Sequence, residues 1–193
     1  MQIIPTFSYP ILIDSFDIKE TLTENLEEQW DETARKDKDR VYSNDDALVV
    51  LNKQVNNCEG FYNWVTERGN FMFKEIMGLK GEIETKYTEV QVSQFGTIIP
   101  PHIHPNSYLT GYFFVQFDEQ KGHTPLVLNN PFYNTFTPGY SFPQEKATMW
   151  SSENFIPPVQ EGQLIIFPSN LQHFFPKQEA DDRIVVAFDL MAK

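Results

Sequence analysis

Two of the four histidines in this chain, His102 and His104, are separated by a single residue. They follow a Pro-Pro pair and precede an aromatic-rich run. In a β-strand, side chains two positions apart point to the same face, so both imidazoles could converge on one point. Neutral imidazoles are common ligands of divalent transition metals. Because an exposed turn could carry the same pair by chance, the metal hypothesis depends on a third ligand.

The third candidate ligand is His173, which lies in or just after the turn that follows the apolar run Gln163–Phe167. Arg183 comes ten residues later, directly before the apolar run Ile184–Phe188. If that run is a strand facing the inside of a barrel, the guanidinium can project toward the barrel's mouth and bind a carboxylate as a fork. The alternatives are an ordinary core or surface histidine and a surface arginine paired with a neighbouring aspartate.

The first part of the chain predicts elements that support these residues. Ile3–Ile13 is apolar but contains two prolines, which favours an edge strand. Asp14-Ser15 could cap a helix from Phe16 to about Lys36. A second helix is predicted over Glu59–Met77, interrupted by Gly69.

From residue 84 onward the pattern alternates with a period of two, which indicates strands. The predicted strands are Tyr87–Phe95, Tyr108–Phe117, Leu126–Leu128, Gln163–Phe167 and Ile184–Leu190. His123 lies in a polar turn between two of them, where we expect it to be exposed. Helices followed by many short strands predict an α+β fold, mainly β, with a sandwich or barrel whose mouth could hold a ligand.

Composition limits the classes of partner. A length of 193 residues suits a single domain, and 17 phenylalanines indicate a packed core. The net charge of −12 disfavours nucleic acid and anionic membranes as partners. The sequence shows no signal-peptide pattern and no apolar run long enough to span a bilayer. Since Cys58 is the single cysteine, no internal disulfide can form, and we expect a cytoplasmic protein.

Several motifs together resemble the 2-oxoglutarate- and Fe(II)-dependent oxygenases, and more narrowly a bacterial and phage group of such proteins. The matching stretches are His102-Ile-His104-Pro-Asn-Ser107, Leu109-Thr-Gly-Tyr112 and Gly162-Gln-Leu-Ile-Ile-Phe-Pro-Ser169, followed by His173 and Arg183. The resemblance implies a double-stranded β-helix (jelly roll) with N-terminal helices packed on one sheet. Residues 1–83 would supply the N-terminal strand and supporting helices, and residues 84–193 the jelly-roll core.

The resemblance also implies a dioxygenase reaction. Fe(II) would be held by His102, His104 and His173, with no catalytic residues beyond these metal ligands. 2-Oxoglutarate would be the co-substrate, its far carboxylate bound by Arg183 and by a hydroxyl from Tyr112 or Tyr108. An unidentified substrate would be hydroxylated, with succinate and CO2 as by-products.

Two positions depart from the usual pattern of the family. The second metal ligand is usually a carboxylate, whereas this chain has His104. Either three imidazoles bind the metal, or His104 does not coordinate it directly and a nearby acid supplies the third ligand. The nearest acid downstream in the sequence is Asp118. Val185 also replaces a serine that many relatives carry two residues after the arginine.

Two other classes fit parts of the pattern. A cupin-type metalloprotein without 2-oxoglutarate has a similar barrel and glycine-histidine spacing, but Tyr108 and Leu109 stand where its usual glutamate ligand would be. A non-catalytic β-sandwich, such as a virion or assembly component, would carry the histidines without a metal. Under the oxygenase hypothesis the substrate is a small molecule or a protein side chain. A homodimer is compatible with the sequence.

Overall fold

The computed structural model describes residues 9–16, 48–49, 59–133 and 152–193. Its strands are β1 (Leu12–Ser15), β2 (Leu48–Val49), β3 (Ile83–Ser93), β4 (Ile99–His102), β5 (Leu109–Gln116), β6 (Val127–Asn129), β7 (Asn154–Phe155), β8 (Gln163–Pro168), β9 (His173–Phe175) and β10 (Arg183–Ala192). Helix α1 (Glu59–Phe71) continues into a π-helical turn, Met72–Ile76, and a short 3-10 helix spans Glu119–Lys121. Of the helices in these ranges, none is long and apolar enough to cross a membrane.

Two antiparallel sheets face each other. The larger has six strands in the order β1-β8-β5-β10-β3-β2, and the smaller has four in the order β4-β9-β6-β7. Apolar side chains from both sheets, including Phe114, Val185 and Phe175, form one buried cluster between them. This arrangement is the jelly roll predicted above, and the α+β, mainly β, fold class is confirmed.

The larger sheet is buried on both faces, and the strand alternation divides its side chains between two layers. Val186 and Phe188 of β10 face outward and pack with Phe61 and Trp64 of α1. Val185 and Ala187 face the space between the sheets. Arg183 and Asp189 lie on the same inner face of β10 as Val185 and Ala187. This face therefore carries one charged residue near each end.

The N-terminal part of the structure differs from its sequence-based prediction. Asp14 and Ser15 belong to β1, which forms the edge of the larger sheet against β8, and whether they also cap a helix depends on residues outside the described ranges. The helix predicted from Phe16 to Lys36 lies almost entirely outside the described residues. The predicted interruption at Gly69 is wrong, because α1 continues through it. A Cβ at Gly69 would meet Leu190 at 2.3 Å, so glycine allows the helix to approach β10 closely.

Candidate metal centre

Three histidines from two distant parts of the chain meet between the two sheets. One ring nitrogen from each of His102, His104 and His173 lies within 4.8 Å of the other two. The ring centroids of His102 and His173 are 4.3 Å apart, and His104 lies 5.1 Å from each. Three imidazole nitrogens at this separation can hold one metal ion after small rotations of the rings.

Backbone pairing explains how the histidines come together. His102 ends β4 and His173 begins β9, and the two residues are directly opposite each other in the antiparallel pair. His104 follows the end of β4, so simple alternation within one strand does not place it. Instead its backbone N–H donates to the Ser169 carbonyl at 2.9 Å, and the Ser169 hydroxyl bonds the Ser107 carbonyl. The turn after β8 therefore fixes the loop that carries His104.

In each of these three histidines, Nδ1 lies within hydrogen-bonding distance of an oxygen acceptor. His102 Nδ1 lies 2.8 Å from the Pro100 carbonyl, and His173 Nδ1 lies 2.9 Å from the Leu171 carbonyl. His104 Nδ1 lies about 3 Å from both carboxylate oxygens of Asp189. An acceptor at Nδ1 keeps the proton there and leaves the lone pair on Nε2. The arrangement therefore presents three Nε2 lone pairs, and that of His104 is buried without a partner.

Burial keeps two of these imidazoles, those of His102 and His173, neutral. Desolvation, reinforced by the neighbouring His102, lowers the pKa of His173 to about 3. Desolvation also lowers the pKa of His102, with a further contribution from His104. Since a protonated imidazole cannot bind a metal, both rings are in the ligand-competent form at neutral pH.

Asp189 is the one residue at this centre that the sequence analysis missed. It lies on the inner face of β10 with 7% of its surface exposed, and His104 is its side-chain partner. Of the acids close to His102 in sequence, the nearest downstream is Asp118, which caps the 3-10 helix elsewhere. The sequence did contain a sign of this residue's role. Asp189 is the lone acid in an apolar strand, and strand alternation places it on the same face as Arg183.

Arg183 is buried in the same inter-sheet space, with 1% of its surface exposed. Its guanidinium donates to the Thr124 carbonyl and hydroxyl and to the Ser93 hydroxyl, and it lies 3.8 Å above the ring of Phe175. The surface ion pair with a neighbouring aspartate is therefore wrong. Burial lowers the pKa of Arg183 to about 9, partly offset by the Tyr112 phenol. Within the described part of the chain it has no acidic partner, and its Nε–H has no acceptor.

The two candidate tyrosines lie in different places. Tyr112 is buried on β5, and its hydroxyl lies 3.1 Å from His173 Nε2. Its ring also packs edge-on against Phe175, with the centroids 5.2 Å apart, and Phe175 is the ring that Arg183 covers. Tyr112 therefore contacts His173 and shares the neighbour Phe175 with Arg183. Tyr108 precedes β5, is 49% exposed and packs its ring on Phe73 of the π-helical turn. Only Tyr112 is brought to this centre.

His123 is not exposed, contrary to the prediction. Only 4% of its surface is accessible. Its Nδ1 accepts from the Asp118 backbone N–H, and its Nε2 bonds the Asp181 carbonyl. Since both ring nitrogens are satisfied, His123 ties the turn after β5 to the start of β10 and stays apart from the three clustered histidines.

Comparison with solved structures shows the same fold in known oxygenases. A prolyl-4-hydroxylase from Pseudomonas putida aligns with a TM-score of 0.58 at 9% identity, over 96% of this chain and 89% of that chain. The non-heme alpha ketoglutarate dependent epimerase SnoN from nogalamycin biosynthesis aligns at 0.61 and 12% identity, over 94% and 78%. SnoN in complex with Fe3+, alpha ketoglutarate and nogalamycin RO aligns at 0.60. The chain spans 57% of a 2OG-Fe(II) oxygenase family oxidoreductase from Burkholderia pseudomallei, at a TM-score of 0.48.

Sequence comparison gives the family. No curated protein is similar enough in sequence to match. The sequence model of the family described as "Putative 2OG-Fe(II) oxygenase" matches residues 90–189. The matched segment contains the three histidines, Tyr112, Arg183 and Asp189. Because it spans more than half of the chain and includes every residue gathered at the centre, the chain belongs to the 2OG-Fe(II) oxygenase family and is an oxidoreductase by family.

Proposed function

We propose that this protein is a 2-oxoglutarate- and Fe(II)-dependent dioxygenase that hydroxylates a C–H bond of its substrate. In this reaction one atom of O2 enters the substrate as a hydroxyl group. The other enters 2-oxoglutarate, which loses CO2 and becomes succinate. Succinate and CO2 therefore both come from the co-substrate and report its turnover.

The observation that carries the proposal is the pairing of a three-imidazole cluster with a buried cation that has no anionic partner among the residues that the structure describes. A buried arginine without a carboxylate partner is costly. Arg183 retains an unpaired Nε–H in the space that also holds the histidines. A dicarboxylate with one end at the metal and the other at Arg183 would supply the missing charge, and 2-oxoglutarate has that shape.

The donor set fits Fe(II). Three neutral imidazoles on one side of an ion leave further coordination positions open, and the buried Nε2 of His104 has no other partner. His102, His104 and His173 would hold the ion. When bound, Fe(II) supplies the activation of O2 that C–H hydroxylation requires.

Tyr112 would help to select the co-substrate. Its hydroxyl now donates to the His173 lone pair that a metal would take. Binding of the ion therefore releases the phenol O–H for another acceptor. A carboxylate held by Arg183 would provide one, because Tyr112 and Arg183 pack on the same ring, that of Phe175. This role replaces the one that the serine two residues after the arginine has in many relatives.

Succinate formation tests the proposal. Purified protein is incubated with Fe(II), 2-oxoglutarate and air, and succinate is measured. We expect slow succinate production without a substrate, arising from uncoupled turnover, which is lost in His173→Ala and in Arg183→Ala. Metal binding by wild-type protein without any succinate, and without 2-oxoglutarate binding, would favour the cupin-type alternative.

A further inference from the structure

The carboxylate of Asp189 lies directly behind a proposed metal ligand. His104 Nδ1 is 3.0 Å from Asp189 Oδ2 and 2.9 Å from Oδ1. His104 is contributed by the loop after β4 in the smaller sheet, whereas Asp189 belongs to β10 in the middle of the larger sheet. This contact therefore joins the two sheets at the level of the histidine cluster.

Both members of the Asp189–His104 pair keep a buried polar atom without a further partner among the described residues. A buried carboxylate is stable only with strong compensation. The Asp189 side chain faces the N–H of one imidazole, and its Oδ1 makes no further hydrogen bond. On the opposite side of that imidazole, Nε2 of His104 is also buried without a partner. A cation bound at Nε2 would satisfy both groups. It would coordinate the lone pair of Nε2, and its positive charge would balance the Asp189 carboxylate on the other side of the ring.

We propose that Asp189 is a positioning residue that supplies, one hydrogen bond behind the metal, the negative charge that the usual carboxylate ligand supplies directly. This inference rests on the proposed function. Three neutral imidazoles leave both charges of a divalent ion uncompensated. A carboxylate bonded to a ligating histidine fixes its tautomer and ring orientation and makes its Nε2 more basic. Asp189 with His104 thus gives the ion the same net charge as two histidines with one carboxylate.

Anaerobic titration of the metal-free protein with Co(II), followed by its visible absorption, tests this role. Asp189→Asn keeps an acceptor for His104 Nδ1 but removes the charge, and we expect binding about tenfold weaker. Asp189→Ala removes orientation as well and should weaken binding further, toward about a hundredfold. Asp182→Asn is the matched control, because Asp182 is exposed and has φ +65°, which asparagine also adopts. It should bind Co(II) like wild type.

A charge swap separates this role from a purely structural one. His104→Asp restores the usual ligand set but places a second carboxylate beside Asp189, so we expect weak binding. The double variant His104→Asp/Asp189→Asn has one carboxylate again and should bind Co(II) more tightly than His104→Asp alone. A structural role for Asp189 predicts the reverse, with the double variant weaker than either single one.

Two results would overturn the inference: Asp189→Asn binding Co(II) as tightly as wild type, or the double variant binding more weakly than His104→Asp. Circular dichroism of each variant identifies loss of folding. Should a variant unfold, Asp189→Glu, which keeps the charge, must still bind more tightly than Asp189→Gln of the same length. If wild-type protein itself binds no metal, the proposed function fails instead, so the two failures are distinguishable.

Discussion

Burial of the charged Arg183 side chain costs free energy in the ligand-free protein. Burial lowers the pKa of Arg183 to about 9, which corresponds to about 4–5 kcal/mol of lost preference for the charged form. Its hydrogen bonds to Thr124 and Ser93 offset roughly 1 kcal/mol each. Since Arg183 has no acidic partner in the described part of the chain, the proposed carboxylate ligand is the group that would offset this cost.

Arg183→Met should therefore separate binding from stability. Methionine fills a similar volume without the charge, so the ligand-free variant should be at least as stable as wild type in urea unfolding. Affinity for 2-oxoglutarate should fall by about a hundredfold or more, because a charge-assisted bidentate contact is lost, while Co(II) affinity stays within a few-fold. Joint loss of metal and 2-oxoglutarate binding would mean that Arg183 is structural.

Tyr112→Phe should affect the co-substrate selectively. The lost hydrogen bond to an ionised acceptor is worth about 1.5 kcal/mol or more, so 2-oxoglutarate affinity should fall about tenfold. Metal affinity should not fall, since the phenol only occupies the His173 lone pair in the absence of metal. Tyr108→Phe is the control and should leave both affinities unchanged. Isothermal calorimetry under nitrogen measures them, and equal effects of the two tyrosine variants would contradict the assignment.

Residue types and spacing were sufficient to predict that His102, His104 and His173 come together, because histidines are few. Arg183 was singled out because an arginine at the start of an apolar strand is unusual, and it is buried. Their joint role in binding stays a prediction. Residue types and spacing were insufficient for Asp189. Its contact with His104 spans 85 positions and requires the facing of two sheets. His123 was misassigned for a related reason, since its partners become visible only when the turn folds back on β10.

Strand β5 carries Tyr112, which contacts His173 and packs on Phe175, the ring that Arg183 also covers. Gly111 permits its close packing in the sheet. A Cβ at this position would meet the Ile165 carbonyl oxygen at 2.1 Å and the Phe188 ring at 2.8 Å. A backbone atom cannot move away cheaply, so the spacing of β5 from β8 depends on glycine.

Gly111→Ala should lower the free energy of unfolding by about 1–3 kcal/mol and weaken 2-oxoglutarate binding through displacement of Tyr112. Gly60→Ala is the matched control. No atom lies within 4 Å of a Cβ there, and Gly60 is in α1, where alanine favours the helix by up to about 1 kcal/mol. Urea unfolding should therefore shift in opposite directions. Similar shifts for both variants would show that the contacts around Gly111 are not tight.

The long strands were predictable from alternation, whereas the short strands that carry the ligands were not. β5, β8 and β10 match their predictions within a few residues because each has a sustained apolar pattern. β4 contains two prolines, and β9 is three residues long and follows a turn. Such segments become strands only by pairing with each other, as His102 and His173 do.

At the scale of the whole molecule, clustered neutral imidazoles make the metal-free protein sensitive to acid. The pKa of His173 falls from 6.5 to about 3 on folding, so between these values the unfolded chain binds a proton that the folded protein does not. Stability should decrease as the pH drops below 6.5, by about 1.4 kcal/mol per pH unit for each such proton. His102 contributes in the same direction.

Urea unfolding in EDTA between pH 7 and 5 measures this dependence. His173→Leu removes one of the depressed groups and should reduce the slope against pH, although it also changes the stability at pH 7. A slope that is identical in wild type and His173→Leu would show that His173 is protonated normally in the folded protein.

The most direct measurement of the central claim is the anaerobic visible spectrum during stepwise addition of Fe(II) and then 2-oxoglutarate. Chelation of Fe(II) by the 2-oxo acid gives a weak charge-transfer band that neither component gives alone. We predict that the band appears in wild type only when both are present, is lost in His173→Ala, and needs much higher 2-oxoglutarate in Arg183→Met. Fe(II) binding without the band, or a band that persists in His173→Ala, would contradict the account.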